Sequence, residues 1–188
     1  MRIFLALNLP LGIRQDIFNL YAKIKEPQIN PSPFSKKRCG VKWTNSDNLH
    51  ITLKFIGGVG ESDLQKLKTF LTANLKIPSI DLKIKNTIFF PKFGQIKIIA
   101  LQGIIDKKTE QEINHFLNLL NQKLKFISKD NHPFAPHITI GRVKKSIKKE
   151  NYEFKYENEC KINSIELMQS TLTPDGPIYK IIKSYATN

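Results

Sequence analysis

A short alternating segment occurs twice in this chain, as His50-Ile51-Thr52-Leu53 and again as His137-Ile138-Thr139-Ile140. Polar and apolar residues alternate in each copy, with the period of two that marks a half-buried β-strand. Successive side chains of a strand point to opposite faces of its sheet. His50 and Thr52 therefore share one face while Ile51 and Leu53 share the other, and His137, Thr139, Ile138 and Ile140 repeat the division. The chain has four histidines, so half of them sit in these two strands. A fold for this chain must bury both aliphatic faces and leave two imidazole–hydroxyl pairs free to meet.

The rest of the pattern is built around the two motif strands. Residues 3–9 form a near-continuous apolar run, the signature of a central strand, and Pro10 opens a helix carrying Ile13, Ile17, Leu20, Tyr21 and Ile24 on one face. Residues 27–40 hold three prolines and the cluster Lys36-Lys37-Arg38, which predicts a basic, mobile loop. Extended pattern resumes at Val41-Lys42-Trp43, a turn follows at residues 45–48, and the first motif strand covers residues 49–56, ended by Gly57-Gly58. A helix over 62–75, strands over 80–90 and 95–103, and a helix capped by Asp106 lead to the second motif strand at 136–143. Two closing strands, around 162–170 and 178–185, flank the turn Thr173-Pro174-Asp175-Gly176.

Nothing in this order reads as a linker, so residues 1–188 are expected to form a single domain. The class is α+β. Because the motif recurs at similar places in each half, two pseudo-symmetric lobes are expected around a central cleft. Each lobe would be an antiparallel sheet with helices packed on its outer face.

Composition narrows the setting. Two cysteines, Cys39 and Cys160, with no C-x-x-C pair argue against a disulfide framework or a zinc site and suit a reducing cytosol. The apolar opening breaks at Asn8 and Pro10 and lacks a cleavage site, so it reads as a buried strand and not a signal peptide. No run approaches the roughly 18 apolar residues that a membrane span needs. We expect a cytoplasmic monomer with no membrane partner. The formal net charge of +14 suggests a polyanionic partner, but 26 of the 30 basic residues are lysines spread along the whole chain. Compositional drift explains that spread as well as a nucleic-acid footprint does.

The chemistry rests on the pair. A lone His-x-Thr on a strand is most often a surface position, whereas two copies with matching apolar alternates call for a shared purpose. Across one cleft, two imidazoles suit in-line hydrolysis of a phosphodiester, with no metal or cofactor required. One takes a proton from water and the other gives one to the leaving oxygen, each with an unperturbed pKa of about 6.5. Thr52 and Thr139 can donate hydrogen bonds to the nonbridging phosphate oxygens. Lys54 shares strand parity with His50 and can face the phosphate or stand at a solvated edge. Trp43 and Phe134 are aromatic neighbours able to stack on a base or to fill the core. Arg142 lies on the opposite face of a regular strand from His137 and reaches the cleft only if Gly141 marks a bulge or the strand's end. His115 and His132 are expected to be solvated.

These residues resemble the paired His-x-Thr signature of the two-histidine phosphoesterase superfamily. Within it, the chain is similar to the LigT-like RNA 2′,3′-cyclic phosphodiesterases, historically named 2′-5′ RNA ligases. The matching pieces span nearly the whole chain: residues 2–10, Val41-Lys42-Trp43, residues 48–57, Phe89-Phe90-Pro91, residues 134–143, and a closing Ser170 with Tyr179. The resemblance implies a LigT-like bilobal fold and metal-independent opening of an RNA-terminal 2′,3′-cyclic phosphate to a 2′-phosphate. It also implies that His50 is the proton donor to the leaving oxygen and His137 the proton acceptor from water, an order the symmetric motifs cannot give. The partner would be RNA, or a nucleotide, with a 2′,3′-cyclic phosphate end. Reversible 2′-5′ RNA ligation and a noncatalytic RNA- or nucleotide-binding module of the same fold stand as alternatives.

Overall fold

The computed structural model describes residues 1–25, 40–127, 133–174 and 176–187. The basic loop, Cys39 and His132 lie outside the described residues. In chain order the strands are β1 (Arg2–Asn8), β2 (Val41–Trp43), β3 (His50–Gly58), β4 (Ile80–Phe90), β5 (Ile98–Ile104), β6 (His137–Val143), β7 (Asn158–Ile162), β8 (Ser164–Thr173) and β9 (Gly176–Ala186). Three α-helices intervene: α1 (Leu11–Lys25) follows β1, α2 (Glu61–Asn74) follows β3, and α3 (Lys107–Lys123) follows β5.

All strand pairs are antiparallel, and their order is β7-β4-β5-β6-β3-β1-β8-β9, with β2 paired to β6. The two motif strands, β3 and β6, are neighbours at the centre. Four strands run outward from that junction on each side, β3-β1-β8-β9 on one and β6-β5-β4-β7 on the other. These are the two lobes. They join through one registered pair, Ile51 with Ile138, beyond which β3 and β6 diverge.

One face of the curled sheet carries the core. Ile51 and Ile138 are fully buried there with Leu5, Leu7, Ile99 and Leu101, and all three helices supply side chains to the same cluster. α1 contributes Ile13, Ile17 and Tyr21, α2 contributes Leu64, Leu67 and Leu71, and α3 contributes Ile113, Phe116, Leu117 and Leu120. Each is an i, i+3/i+4 set, so each helix turns one stripe inward and leaves the other to water. α3 begins where expected, with the Asp106 side chain accepting from the Thr109 amide at 3.0 Å. With the helices on the convex face, the opposite face, bearing both histidines, stays open as a cleft. No helix among the described residues is long and apolar enough to cross a membrane.

One strand escaped the sequence reading. β7 alternates exposed Glu159 and Lys161 with half-buried Asn158 and Cys160 and buried Ile162, at the edge of its lobe. An edge strand buries little, so its composition resembles that of a loop.

Candidate active site

Each imidazole is fixed by the backbone two residues before it. His50 Nδ1 lies 2.7 Å from the Asn48 carbonyl oxygen, and His137 Nδ1 lies 2.8 Å from that of Ala135. A carbonyl only accepts, so Nδ1 carries the hydrogen in both rings, and Nε2 is left as the nitrogen that exchanges protons. His50 Nε2 meets the Thr52 hydroxyl at 3.1 Å, the neighbour that strand parity gave it. Asn48 is itself anchored, its side-chain amide donating to the Pro177 carbonyl at 2.9 Å, which ties the His50 support to β9. The Phe134 amide donates to the Asn114 side chain at 3.0 Å, so α3 holds the segment entering β6.

The two rings differ in environment. His50 packs against Phe4 and stands edge-on to Tyr179, each with centroids 5.2 Å apart. His137 has Phe90 at 5.0 Å. Burial holds the His50 pKa below the usual 6.5; the positive fields of His137 and Arg142 push the same way, against the hydrogen bond to Asn48.

Both motif strands then bulge at the same point. Thr52 pairs with Ala6 and Lys54 with Leu5, leaving Leu53 as the extra residue of β3. Thr139 pairs with Ala100 and Gly141 with Ile99, leaving Ile140 as the extra residue of β6. Each bulge reverses strand parity beyond it. Arg142 is thereby turned to the face of His137 and Thr139 and lines the cleft, through a bulge and not through an end of the strand at Gly141, the two routes the sequence allowed. Gly141 is needed there because β2 crosses closely: a Cβ would lie 2.7 Å from Val41 Cγ1 and 3.2 Å from Trp43 Cε3.

The same shift corrects the reading of Lys54. Regular alternation puts Lys54 beside Thr52, but the bulge takes it out of phase, and it is 5% exposed at the cleft wall. Its neighbour Phe55 occupies the position equivalent to Arg142 and is 59% exposed, lining the opposite side of the cleft. Sequence reasoning missed Phe55, although aligning the two motifs residue by residue sets it against Arg142.

The two aromatic candidates are packing residues first. Phe134 is buried in the core, with only an edge on the cleft. Trp43 stacks face to face on Tyr21, with centroids 5.0 Å apart and planes within 2°, and leans on Tyr152. That stack occupies one indole face, and the Tyr21 hydroxyl donates to the Thr44 carbonyl beside it. His115 is exposed on α3, as expected. Tyr179, which the sequence placed only in the closing strand, stands over His50.

The cleft measures about 1140 Å³ and is lined by both histidines, both threonines, Lys42, Arg142, Phe55 and Tyr179, among others. Among the described residues, no aspartate or glutamate lines it. A cavity that gathers imidazoles, hydroxyls and cations suits an anion.

Comparison with known proteins agrees with this chemistry. Residues 33–99 match the family described as LigT like Phosphoesterase. An RNA 2′,3′-cyclic phosphodiesterase of Methanocaldococcus jannaschii is 36% identical over 98% of this chain and 100% of its own length. One of Archaeoglobus fulgidus is 28% identical over 98% of this chain and 99% of its own. Among solved structures, the protein TT0787 of Thermus thermophilus superimposes with a TM-score of 0.76 at 22% identity, covering 99% of this chain and 97% of that one. E. coli LigT, crystallised with 3′-AMP, gives 0.69 at 22% identity, covering 99% of this chain and 97% of its own. The fold is thus a known one, and the chain belongs to the LigT-like phosphoesterases.

Proposed function

We propose that this chain hydrolyses the 2′,3′-cyclic phosphate at an RNA end, without a metal, leaving a 2′-phosphomonoester. The observation that carries the proposal is the matched pair of imidazoles, each with Nδ1 tied to a backbone carbonyl and Nε2 left to the cleft. Binding alone does not require two such groups, whereas an in-line displacement at phosphorus uses both. The relatives' name, RNA 2′,3′-cyclic phosphodiesterase, supports the substrate.

In this mechanism, water attacks phosphorus as His137 Nε2 takes its proton. The P–O3′ bond breaks, and His50 Nε2 delivers a proton to the departing O3′. The products are a 2′-phosphate and a free 3′-hydroxyl. Thr52, Thr139 and Arg142 hold the nonbridging oxygens, and the exposed ring of Phe55 offers the base a face. The depressed pKa of His50 describes the free protein; a phosphate anion between the rings raises it and allows protonation before the donor step.

An oligoribonucleotide ending in 2′,3′-cyclic phosphate, incubated with the protein and excess chelator, should yield the 2′-phosphate. His50→Ala and His137→Ala should each lower turnover by about 10²–10⁴-fold, the usual contribution of a general acid or base. Near-normal rates in either variant refute the two-histidine mechanism. Tight RNA binding without turnover supports a noncatalytic module, and a 3′-phosphate product reverses the leaving-group assignment.

A further inference from the structure

Lys42 has no part in the mechanism above. On β2 it pairs in register with Arg142 on β6, which pairs on its other side with Ile98 on β5. Directly paired residues of adjacent antiparallel strands project from the same face. All three line the cleft. Like charges placed directly opposite destabilise a sheet, and no described carboxylate pairs with either cation. A bound anion would turn that repulsion into attraction.

The two cations are not equivalent. The Arg142 guanidinium acts on both His50 and Tyr179, so it sits with the reacting centre. Lys42 lies one strand further out, about 4.8 Å in the sheet direction. Its ammonium rests against the turn of the β8–β9 hairpin, where a Cβ on Gly176 would be 3.4 Å from Nζ. It therefore bridges the cleft mouth from one lobe to the other. At about 1140 Å³, the cleft lies just above the roughly 300–1,000 Å³ typical of small-ligand sites, leaving room beyond one ring and one phosphate.

Given the phosphodiesterase reading, on which this step rests, we infer that Lys42 binds a second phosphate, the one on the 5′ side of the terminal nucleotide. The site then selects chain ends and 5′-phosphorylated nucleotides over nucleoside cyclic phosphates with a bare 5′-hydroxyl. Lysine suits this task as a mobile point charge, while the fork of Arg142 suits the fixed geometry at the reacting phosphate.

Three substrates test it: a nucleoside 2′,3′-cyclic phosphate with a 5′-hydroxyl, the same compound with a 5′-phosphate, and a dinucleotide with that cyclic end. The wild type should favour the second and third in kcat/KM by about 10- to 100-fold, mainly through KM, as expected for a charged hydrogen bond. Lys42→Met should erase the preference while costing no more than about threefold on the first substrate, and Lys42→Arg should restore most of it. Equal rates on all three substrates in the wild type, or a uniform loss in Lys42→Met, overturn the inference. If none of the substrates turns over, the phosphodiesterase reading fails instead. The subsite is then decided by titrating wild type and Lys42→Met with a nucleoside 2′,5′-bisphosphate and a 2′-monophosphate. A Lys42-dependent gain for the bisphosphate sustains the subsite, and equal affinities refute it.

Discussion

His50 and His137 share a sequence motif and a backbone anchor but not an environment. His50 stands between Phe4 and Tyr179, and burial there keeps it nearer the neutral form than free histidine. Its folded pKa lies below the unfolded value of 6.5, so between those two values the unfolded chain holds a proton that the folded chain refuses. The stability gained from a neutral His50 is complete above that unfolded value and is lost as pH falls from it toward the folded pKa. Urea midpoints measured from neutral pH downward should therefore fall less steeply in His50→Gln than in the wild type. Saturating phosphate should shift the same balance, raising the pH at which the His50 ring resonances titrate. A variant with an unchanged slope, together with a His50 resonance indifferent to phosphate, would remove the electrostatic difference between the two rings.

At the scale of the element, the site depends on two bulges that alternation does not reveal. The sequence disclosed both motif strands, their faces, all three helices and the Asp106 cap, because each rests on local periodicity or on one side chain meeting its own helix. It could not disclose the extra residues Leu53 and Ile140, which exist only as differences in pairing against β1 and β5. Regular alternation accordingly sets Lys54 on the cleft face and hides Phe55, while Arg142 depends on reading Gly141 as a bulge. The packing of Trp43 against Tyr21 is hidden for the same reason, since it joins β2 to a helix distant in sequence. Gly141 tests the second bulge. Gly141→Ala places a methyl against Val41, a β-branched side chain with little freedom to turn away. We expect a loss of about 1–3 kcal/mol in chemical denaturation, the usual cost of overpacking. A displaced β2 should also impair turnover in the fraction that stays folded. Wild-type stability with wild-type activity would mean that the close approach of β2 has no structural weight.

The whole molecule carries a formal charge of +14, and the structure separates two explanations of it. If the excess is a nucleic-acid footprint, cations over the broad surface should contact phosphates. If it is compositional, the binding charge is confined to the cleft. The arrangement favours the second. Exposed lysines lie on α2 at Lys66, paired with Asp63, on α3 at Lys107 and Lys108, and on the edge strand β9 at Lys183. Several others are engaged with surface carboxylates, as in Lys85–Glu157, Lys149–Glu153 and Lys161–Asp81. Within the cleft, Lys42 and Arg142 face a wall on which no described residue is an acid. For single strands the logarithm of affinity falls with the logarithm of salt by about 0.7 per neutralised phosphate, so two contacts predict a slope of about −1.4. Titrating an oligoribonucleotide ending in an inert 2′-phosphate across a salt series measures it directly. The slope should stay near that value as the strand is lengthened beyond two nucleotides, and Lys42→Met should reduce it by about 0.7. A slope that steepens past about −4 with strand length would show instead that lysines outside the cleft bind RNA, since it requires about six or more phosphate contacts.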